Sequence, residues 1–420
     1  MKFSSLGLAA EIQRAVDACR YKEMTDIQQQ AIAPARRGKD LLASAQTGTG
    51  KTAAFALPIL QQMHDNPQPT LDGKTRALIL APTRELAEQL AETIKRYAQF
   101  MPVTITALYG GVKMSAQQKK LNTSINIVVS TPGRLLEHVV QGNINLSNVE
   151  FVVIDEADRM LDMGFIDDVQ TLLQKIQKKR QTLLFSATMS HQVHALANKL
   201  LTQYEVIGVA KQTAVAENVE HVVYPVGEHQ KAELFIELLD KYNWYRVLVF
   251  TSTKHQADTL MARLKKENIK AALFHGNKSQ GARRRALAGF KSDKIQVLIS
   301  TEVAARGLDI HGLEHVVNYN LPYLAEDYIH RIGRTGRAGN KGQAISFVSR
   351  EEERTLDNIE RLIGYRIKRI KVPGYEAGNR DAIFANLAKT SRPPRSNKSS
   401  QIKNVPKNTG RTKVGKKKTK

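Results

Sequence analysis

Short apolar runs alternate with longer amphipathic stretches along most of this chain, and that alternation limits what it can fold into more than any other feature. In the first half the runs are Leu41-Leu42-Ala43, Ala77 to Leu80, Ile105 to Leu108, Ile127-Val128-Val129, Phe151 to Ile154 and Leu183-Leu184-Phe185. Several are rich in β-branched residues, the signature of a strand buried on both faces. The stretches between them, such as Arg84 to Arg96, carry apolar residues at helical spacing. Alternating strands and helices imply a parallel sheet covered by helices. The second half repeats the plan with His221 to Tyr224, Val247 to Phe250, Ala271 to Phe274, Val297-Leu298-Ile299, Val316-Val317 and Ala344 to Val348. No long sequence identity links the halves, so the expected repeat is architectural. The expectation is an α/β chain of two tandem domains, each a parallel sheet flanked by helices.

The length of 420 residues suits two cores and an appendage. Val209 to Asn218 has no strong period and is expected to be the linker. The expected divisions are residues 1–208, 209–218, 219–373 and 374–420. Beyond Pro373 the pattern fades into Lys, Asn, Ser, Thr and Pro, a composition expected to be disordered. The formal net charge of +23 points to a polyanionic partner. From Lys389 to Lys420 there are twelve Lys or Arg and no acid, so about half of the excess lies in this tail. The tail reads either as a solvated extension or as a sequence-independent tether for a nucleic acid. A single cysteine, Cys19, excludes an internal disulfide and fits a reducing cytoplasm. No apolar run reaches the about 18 residues of a membrane span, and the first residues lack the pattern of a secretory leader.

Polar motifs follow the apolar runs, where open α/β sheets bind ligands. The first is Ala45-Gln46-Thr47-Gly48-Thr49-Gly50-Lys51-Thr52. A glycine-rich turn before a helix brings backbone N–H groups to phosphates. Lys51 would reach the terminal phosphates and Thr52 would hold Mg²⁺. Ala45 replaces the usual first glycine, and the bland alternative is a turn that binds nothing. The second motif, Asp155-Glu156-Ala157-Asp158, ends a buried run. Asp155 suits Mg²⁺, and Glu156 suits proton abstraction from water. Alone it would read as an exposed turn; the upstream P-loop makes it half of a nucleotide site. The third, His330-Arg331-Ile332-Gly333-Arg334-Thr335-Gly336-Arg337, carries three arginines at helical spacing. They read as fingers for a transferring phosphoryl group or as a basic nucleic-acid patch, and different arginines could serve each.

Further motifs are Pro82-Thr83-Arg84-Glu85-Leu86-Ala87, Gly110-Gly111, Thr131-Pro132-Gly133-Arg134, Ser186-Ala187-Thr188, His275-Gly276, Gln280 to Arg283 and Thr301 to Asp309. In this order the set resembles a DEAD-box RNA helicase over about residues 3 to 350, with the bacterial RhlE-like subgroup as the nearest match. The resemblance implies two RecA-like domains, ATP and Mg²⁺ as ligands, and RNA as partner. It implies that Gln28 reads adenine, which suits a Gln amide. Tyr21 would stack on the base, supported by Phe3. Arg20 and Met24 depart from the Gly and Pro more usual in the family, and Glu302 from its Asp.

Asp309 would contact ribose, and Arg334 and Arg337 would face the γ-phosphate. Asp158, Ser186 and Thr188 would couple nucleotide to lobe movement. Pro82, Thr83, Arg84, Gly111, Thr131, Gly133 and Arg134 would line RNA in the first domain, and Gly276, Arg283, Thr301 and Arg306 in the second. Such groups suit phosphate and sugar, so weak sequence preference is expected. His275 is expected to be structural. The resemblance suggests ribosome assembly or RNA turnover. A DNA translocase and a scaffold with an inactive ATPase fold are the competing classes.

Overall fold

The computed structural model describes residues 1–45, 48–67, 74–208, 218–305, 310, 312–336 and 341–375. The first half forms β1 (Leu41–Ser44), β2 (Ala77–Leu80), β3 (Ile105–Leu108), β4 (Ile127–Ser130), β5 (Phe151–Ile154), β6 (Gln181–Ser186) and β7 (Glu205–Gly208). The second forms β8 (Val219–Pro225), β9 (Val247–Thr251), β10 (Ala271–Phe274), β11 (Val297–Thr301), β12 (His315–Asn318), β13 (Gly342–Val348) and β14 (Lys368–Arg369). Among the described residues these make two seven-stranded sheets, ordered β3-β4-β2-β5-β6-β1-β7 and β10-β11-β9-β12-β13-β8-β14. Every pairing is parallel. Adding seven to each number of the first order gives the second, so the repeat seen in the apolar runs extends to topology.

Alternation of side chains across the pleat explains why the runs are apolar throughout. Leu41 and Ala43 join one helical layer of the first lobe, while Leu42 joins the layer on the opposite face. In the second lobe Val247 and Val249 face one layer, Leu248 and Phe250 the other. Each apolar run singled out in the sequence lies in a strand. The two strands that the sequence reading missed, β7 and β14, are both sheet edges. β7 buries only Ile207, and both residues of β14 are exposed, so neither carries an apolar run. The expected linker falls between β7 and β8, but residues 209–217 lie outside the described residues, as does the tail from 376.

The departure at Arg20 has a backbone meaning. The helix Ala10–Ala18 ends with the Arg20 N–H donating to Asp17 O at 2.8 Å and the Tyr21 N–H to Val16 O at 3.3 Å. These two bonds define a Schellman cap, whose penultimate residue is left-handed and favours glycine. Arg20 occupies it with φ of 58°. The departure at Met24 adds a bond: its N–H donates to Met1 O at 2.8 Å, which proline could not do. Arg20→Gly should therefore stabilise the first lobe by about 1 kcal/mol, seen as a higher denaturant midpoint at unchanged slope.

Candidate active site and nucleic-acid groove

The strand order sorts the motifs. In the first sheet the carboxyl ends of β1, β5 and β6, neighbours on one side, carry Ala45 to Thr52, Asp155 to Asp158 and Ser186 to Thr188. The ends of β2, β3 and β4, neighbours on the other, carry Pro82 to Ala87, Gly110-Gly111 and Thr131 to Arg134. One edge thus holds two sites, meeting where β2 pairs with β5.

On the nucleotide side, the Ala45 N–H donates to Ser186 O at 2.9 Å, continuing the β1–β6 ladder. Ala45 is therefore strand-like and buried, and a methyl fits where glycine is usual. Gly50 opens the helix Lys51–Asp65 at φ of 90°. A Cβ there would lie 3.2 Å from Gln28 Cδ, so only glycine lets the two segments approach this closely. Lys51 Nζ pairs with Asp155 Oδ1 at 3.1 Å, both side chains being buried. Burial pulls the Lys51 pKa down, but Asp155, Glu156 and Asp158 outweigh it and the net shift is upward. Lys51 is thus a fixed cation. Its buried Nζ has no aligned hydrogen-bond acceptor, which suits a phosphate ligand.

Glu156 sits at the start of the helix Ala157–Asp162 with φ of 55°, a conformation non-glycine residues seldom take. Burial raises its carboxyl pKa, Lys51 and Arg334 oppose this, and Asp155 adds to it. A carboxylate so placed accepts a proton more readily than an exposed one. Asp158 Oδ2 accepts from the Thr188 N–H at 3.0 Å and hydroxyl at 3.2 Å. The Ser186 hydroxyl donates to Thr188 O at 2.7 Å. The three residues expected to couple the site to movement are therefore hydrogen-bonded together.

At the adenine end, Gln28 caps its own helix: its Oε1 accepts from the Thr25 N–H at 2.9 Å and its Nε2 donates to Gly50 O at 3.0 Å. One N–H and one lone pair of the amide are left for a base edge. Phe3 stacks on Tyr21 with centroids 5.9 Å apart, and the Tyr21 and Tyr97 hydroxyls lie 3.1 Å apart. The exposed Tyr21 ring thus stands on a buried aromatic base.

The lobes meet at the same edge. Glu156, Asp158, Ala187, Phe250, Glu302 and Arg334 line one narrow cavity between them. Arg334 is buried there and lowers the Glu156 pKa electrostatically. Arg331 instead serves the second lobe. Its guanidinium donates to Asn318 Oδ1 at 3.0 Å and Asn320 O at 2.7 Å, pairs with Glu302 at 2.5 Å, and lies over the Phe250 ring. The longer acid at 302 reaches this arginine. Neither Arg331 nor Arg334 belongs to a solvated basic patch, since both are buried.

The sequence reading missed Arg159, directly after Asp158. From the first lobe it pairs with Asp327 Oδ1 of the second at 2.7 Å and with His330 Nδ1, and both Arg159 and Asp327 are buried. No local pattern marks it, because its partner lies 168 residues away.

A broad open groove crosses both lobes on the other side. It is lined by Pro82, Thr83, Arg84, Thr131, Gly133 and Arg134 from the first lobe and by Gly276, Arg283 and Thr301 from the second. Gly111 lies beside it at φ of 78°, where a Cβ would fall 2.7 Å from Arg84 Cζ. The helices Arg84–Tyr97 and Pro132–Val140 begin at groove residues, so their N-termini favour phosphate. Glu85 Oε2 ties the groove shut by pairing with Arg283 at 3.0 Å. Ser252, Thr253 and Lys254 also line it. They follow the run Val247 to Phe250, and the same polar-after-strand rule would have found them. His275 is fully buried and does not line the groove. Gln46, Thr47, Arg306, Asp309 and Arg337 lie outside the described residues.

Two RecA-like lobes with a P-loop, a carboxylate pair and an arginine from the opposite lobe define a nucleotide-driven motor of nucleic acids. The DEAD/DEAH box helicase profile matches residues 25–196, and the helicase conserved C-terminal domain matches residues 230–339. The ATP-dependent RNA helicase CshA of Listeria monocytogenes is 40% identical over 375 residues, covering 89% of this chain and 71% of that protein. The DEAD-box ATP-dependent RNA helicase CshA of Geobacillus kaustophilus is 38% identical, covering 88% of this chain and 78% of that protein. Saccharomyces cerevisiae Dbp5 bound to RNA and ADP BeF3 superposes with a TM-score of 0.78 at 30% identity, over 93% of this chain and 100% of that one. Mss116 bound to ssRNA and UDP-BeF gives a TM-score of 0.78 at 30% identity, over 88% of this chain and 79% of that one. The chain belongs to the DEAD-box ATP-dependent RNA helicases.

Removing Arg159 takes away the buried cation 2.7 Å from Asp327 and leaves His330 Nδ1 at 3.6 Å, a loss of up to about 3 kcal/mol. Asp327 meets that cost only when the lobes are together. Arg159→Ala should therefore lower RNA-stimulated turnover by about ten- to a hundredfold. The swap Arg159→Asp with Asp327→Arg should recover part of it, as read in steady-state ATPase assays.

Proposed function

We propose that this helicase acts as an ATP-gated RNA clamp. The observation that carries the reading is the shared edge: nucleotide residues of both lobes surround one cavity while groove residues of both lobes surround the other. Each ligand gains its full contacts only when the lobes are together, so the two ligands favour the same state. As a member of its family, the protein hydrolyses ATP in response to RNA and uses it to unwind or remodel RNA. The groove residues suit phosphate and sugar, so recognition is largely independent of base sequence. A strand held in a shaped groove cannot keep regular pairing, and a short duplex separates locally; hydrolysis then releases the clamp.

The roles rest on the family resemblance. Tyr21 and Gln28 hold the base, with Asp309 at the ribose. Ala45, Gln46, Thr47, Gly48, Thr49 and Gly50 cradle the phosphates. Lys51, Arg334 and Arg337 oppose the charge that develops on the terminal phosphate. Glu156 takes the proton from the attacking water. Thr52 and Asp155 would hold Mg²⁺, which neutralises phosphate charge when bound. One hydroxyl and one carboxylate are a sufficient protein share, because Mg²⁺ keeps waters and phosphates as its other ligands. Asp158, Ser186 and Thr188 carry the state of this site toward the RNA groove.

We assign residues 1–208 and 219–373 to the two domains, 209–218 to the linker and 374–420 to a basic tail that tethers RNA. The RhlE-like placement rests on the motif pattern, whereas the relatives compared are of CshA type; a tree in which the chain groups with CshA sequences would remove it. A cytoplasmic location is supported by the single thiol, and no helix among the described residues is long and apolar enough to cross a membrane. Cell fractionation checks it. For pathway, ribosome assembly or RNA turnover is proposed; identifying the RNAs crosslinked in cells would separate them.

In a phosphate-release assay, RNA should stimulate wild-type turnover, and a short RNA duplex, but not a matched DNA duplex, should be unwound. Glu156→Gln should bind ATP and RNA yet turn over at least about a hundredfold more slowly. Because its pKa is raised, the base form is lost on acidification earlier than for an ordinary glutamate. The acid limb of kcat/KM, which reports the free enzyme, should lie correspondingly higher and be absent in the variant; wild-type turnover by the variant would refute the assignment. Deleting Lys389 to Lys420 should weaken RNA affinity and flatten its dependence on salt, by about 0.7 in slope for each phosphate no longer neutralised.

A further inference from the structure

Arg134 enters the RNA groove from the helix Pro132–Val140, and the Gly110-Gly111 turn enters it from the end of β3. Between them, behind the groove, lies Gln117 on the helix Met114–Leu121, 4% exposed and part of none of the motifs above. Its Nε2 donates to Tyr109 O at 2.9 Å, just before the glycine pair. Its Oε1 accepts from Arg134 Nη1 at 3.2 Å and from His138 Nε2 at 3.0 Å. Arg134 Nη1 also donates to Val112 O at 3.0 Å, and its Nε lies 3.1 Å from Glu137 Oε2.

The chemistry of this junction fixes the Gln117 amide. A guanidinium only donates and a backbone carbonyl only accepts, so both neighbours fix which way the Gln117 amide points. His138 must then donate from Nε2, which leaves its Nδ1 to accept from Asn143 Nδ2 at 3.2 Å. That requires a neutral ring. Burial and then the Arg134 charge hold its pKa down, with Glu137 opposing, in keeping with this state. His138 is fully buried and does not line the groove.

We propose that Gln117 is a positioning residue for RNA, locking the Arg134 guanidinium and the Gly110-Gly111 turn to each other, with His138 and Asn143 setting the amide. The inference rests on the reading of Arg134 as an RNA phosphate contact. Gln117 itself touches no RNA. It lowers the entropy that Arg134 and the turn would lose on binding, and so strengthens contacts it does not make.

The test compares Arg134→Ala, Gln117→Met, Gln117→Glu and the double variant Gln117→Met/Arg134→Ala in the full chain, using a single-stranded oligoribonucleotide with a non-hydrolysable ATP analogue across a salt series. Gln117→Met should weaken binding about tenfold and lower the salt slope by about 0.7, as Arg134→Ala does. The double variant should bind no more weakly than Arg134→Ala alone, because both changes act on the same guanidinium–phosphate interaction. Gln117→Glu keeps the volume and the acceptor for Arg134 but sets a carboxylate against Tyr109 O. It should weaken binding with the salt slope retained, and it serves as the reference if the methionine variant folds poorly. If Arg134→Ala leaves RNA binding and its salt slope unchanged, the reading of Arg134 fails. If Arg134→Ala weakens binding but Gln117→Met does not, or if the two losses add, the positioning role is overturned.

Discussion

A charge removed from water needs a partner close by. In this chain several such partners sit in opposite lobes. Arg159 meets Asp327 and His330, Glu85 meets Arg283, and Glu156 shares its cavity with Arg334. Separated lobes would return these groups to water, where each is satisfied without the other. Joined lobes desolvate them together, and the attraction offsets the desolvation only if the fit is good. The arrangement of residues at the junction therefore acts as a test of assembly. The nucleotide and the RNA groove lie on either side of that test.

The lobes themselves were legible because their strands are apolar on both faces. Leu41 to Ala43 and Val247 to Phe250 need no periodicity to be recognised, since every side chain is buried. The edges were not legible. Lys368 and Arg369 form β14 by pairing with β8, and nothing in two basic residues announces a strand. The same division holds at the site. Gly50, Lys51, Asp155 and Glu156 form recognisable strings because neighbours in sequence act together. Arg159 and Gln117 act on residues far along the chain or behind it, and their types are ordinary where they stand.

Departures from the family pattern are informative once the backbone is known. Arg20 occupies a cap that favours glycine, Met24 supplies an N–H that proline lacks, and Ala45 lies where the backbone is strand-like. In each case the fold tolerates the change because the conformation, not the side chain, is what the position holds. Glu302 is different: there the side chain makes the contact, and the longer acid pairs with Arg331.

The division of one sheet edge between two ligands has a thermodynamic corollary. β2 and β5 are hydrogen-bonded neighbours, one ending at the groove and the other at the carboxylate pair. Two ligands that bias one equilibrium are bound by reciprocity: the factor by which RNA tightens ATP is the factor by which ATP tightens RNA. No rearrangement of side chains can make that exchange one-sided while both are merely bound. Only an irreversible chemical step breaks the symmetry, and it gives the cycle a direction. Hydrolysis supplies that step.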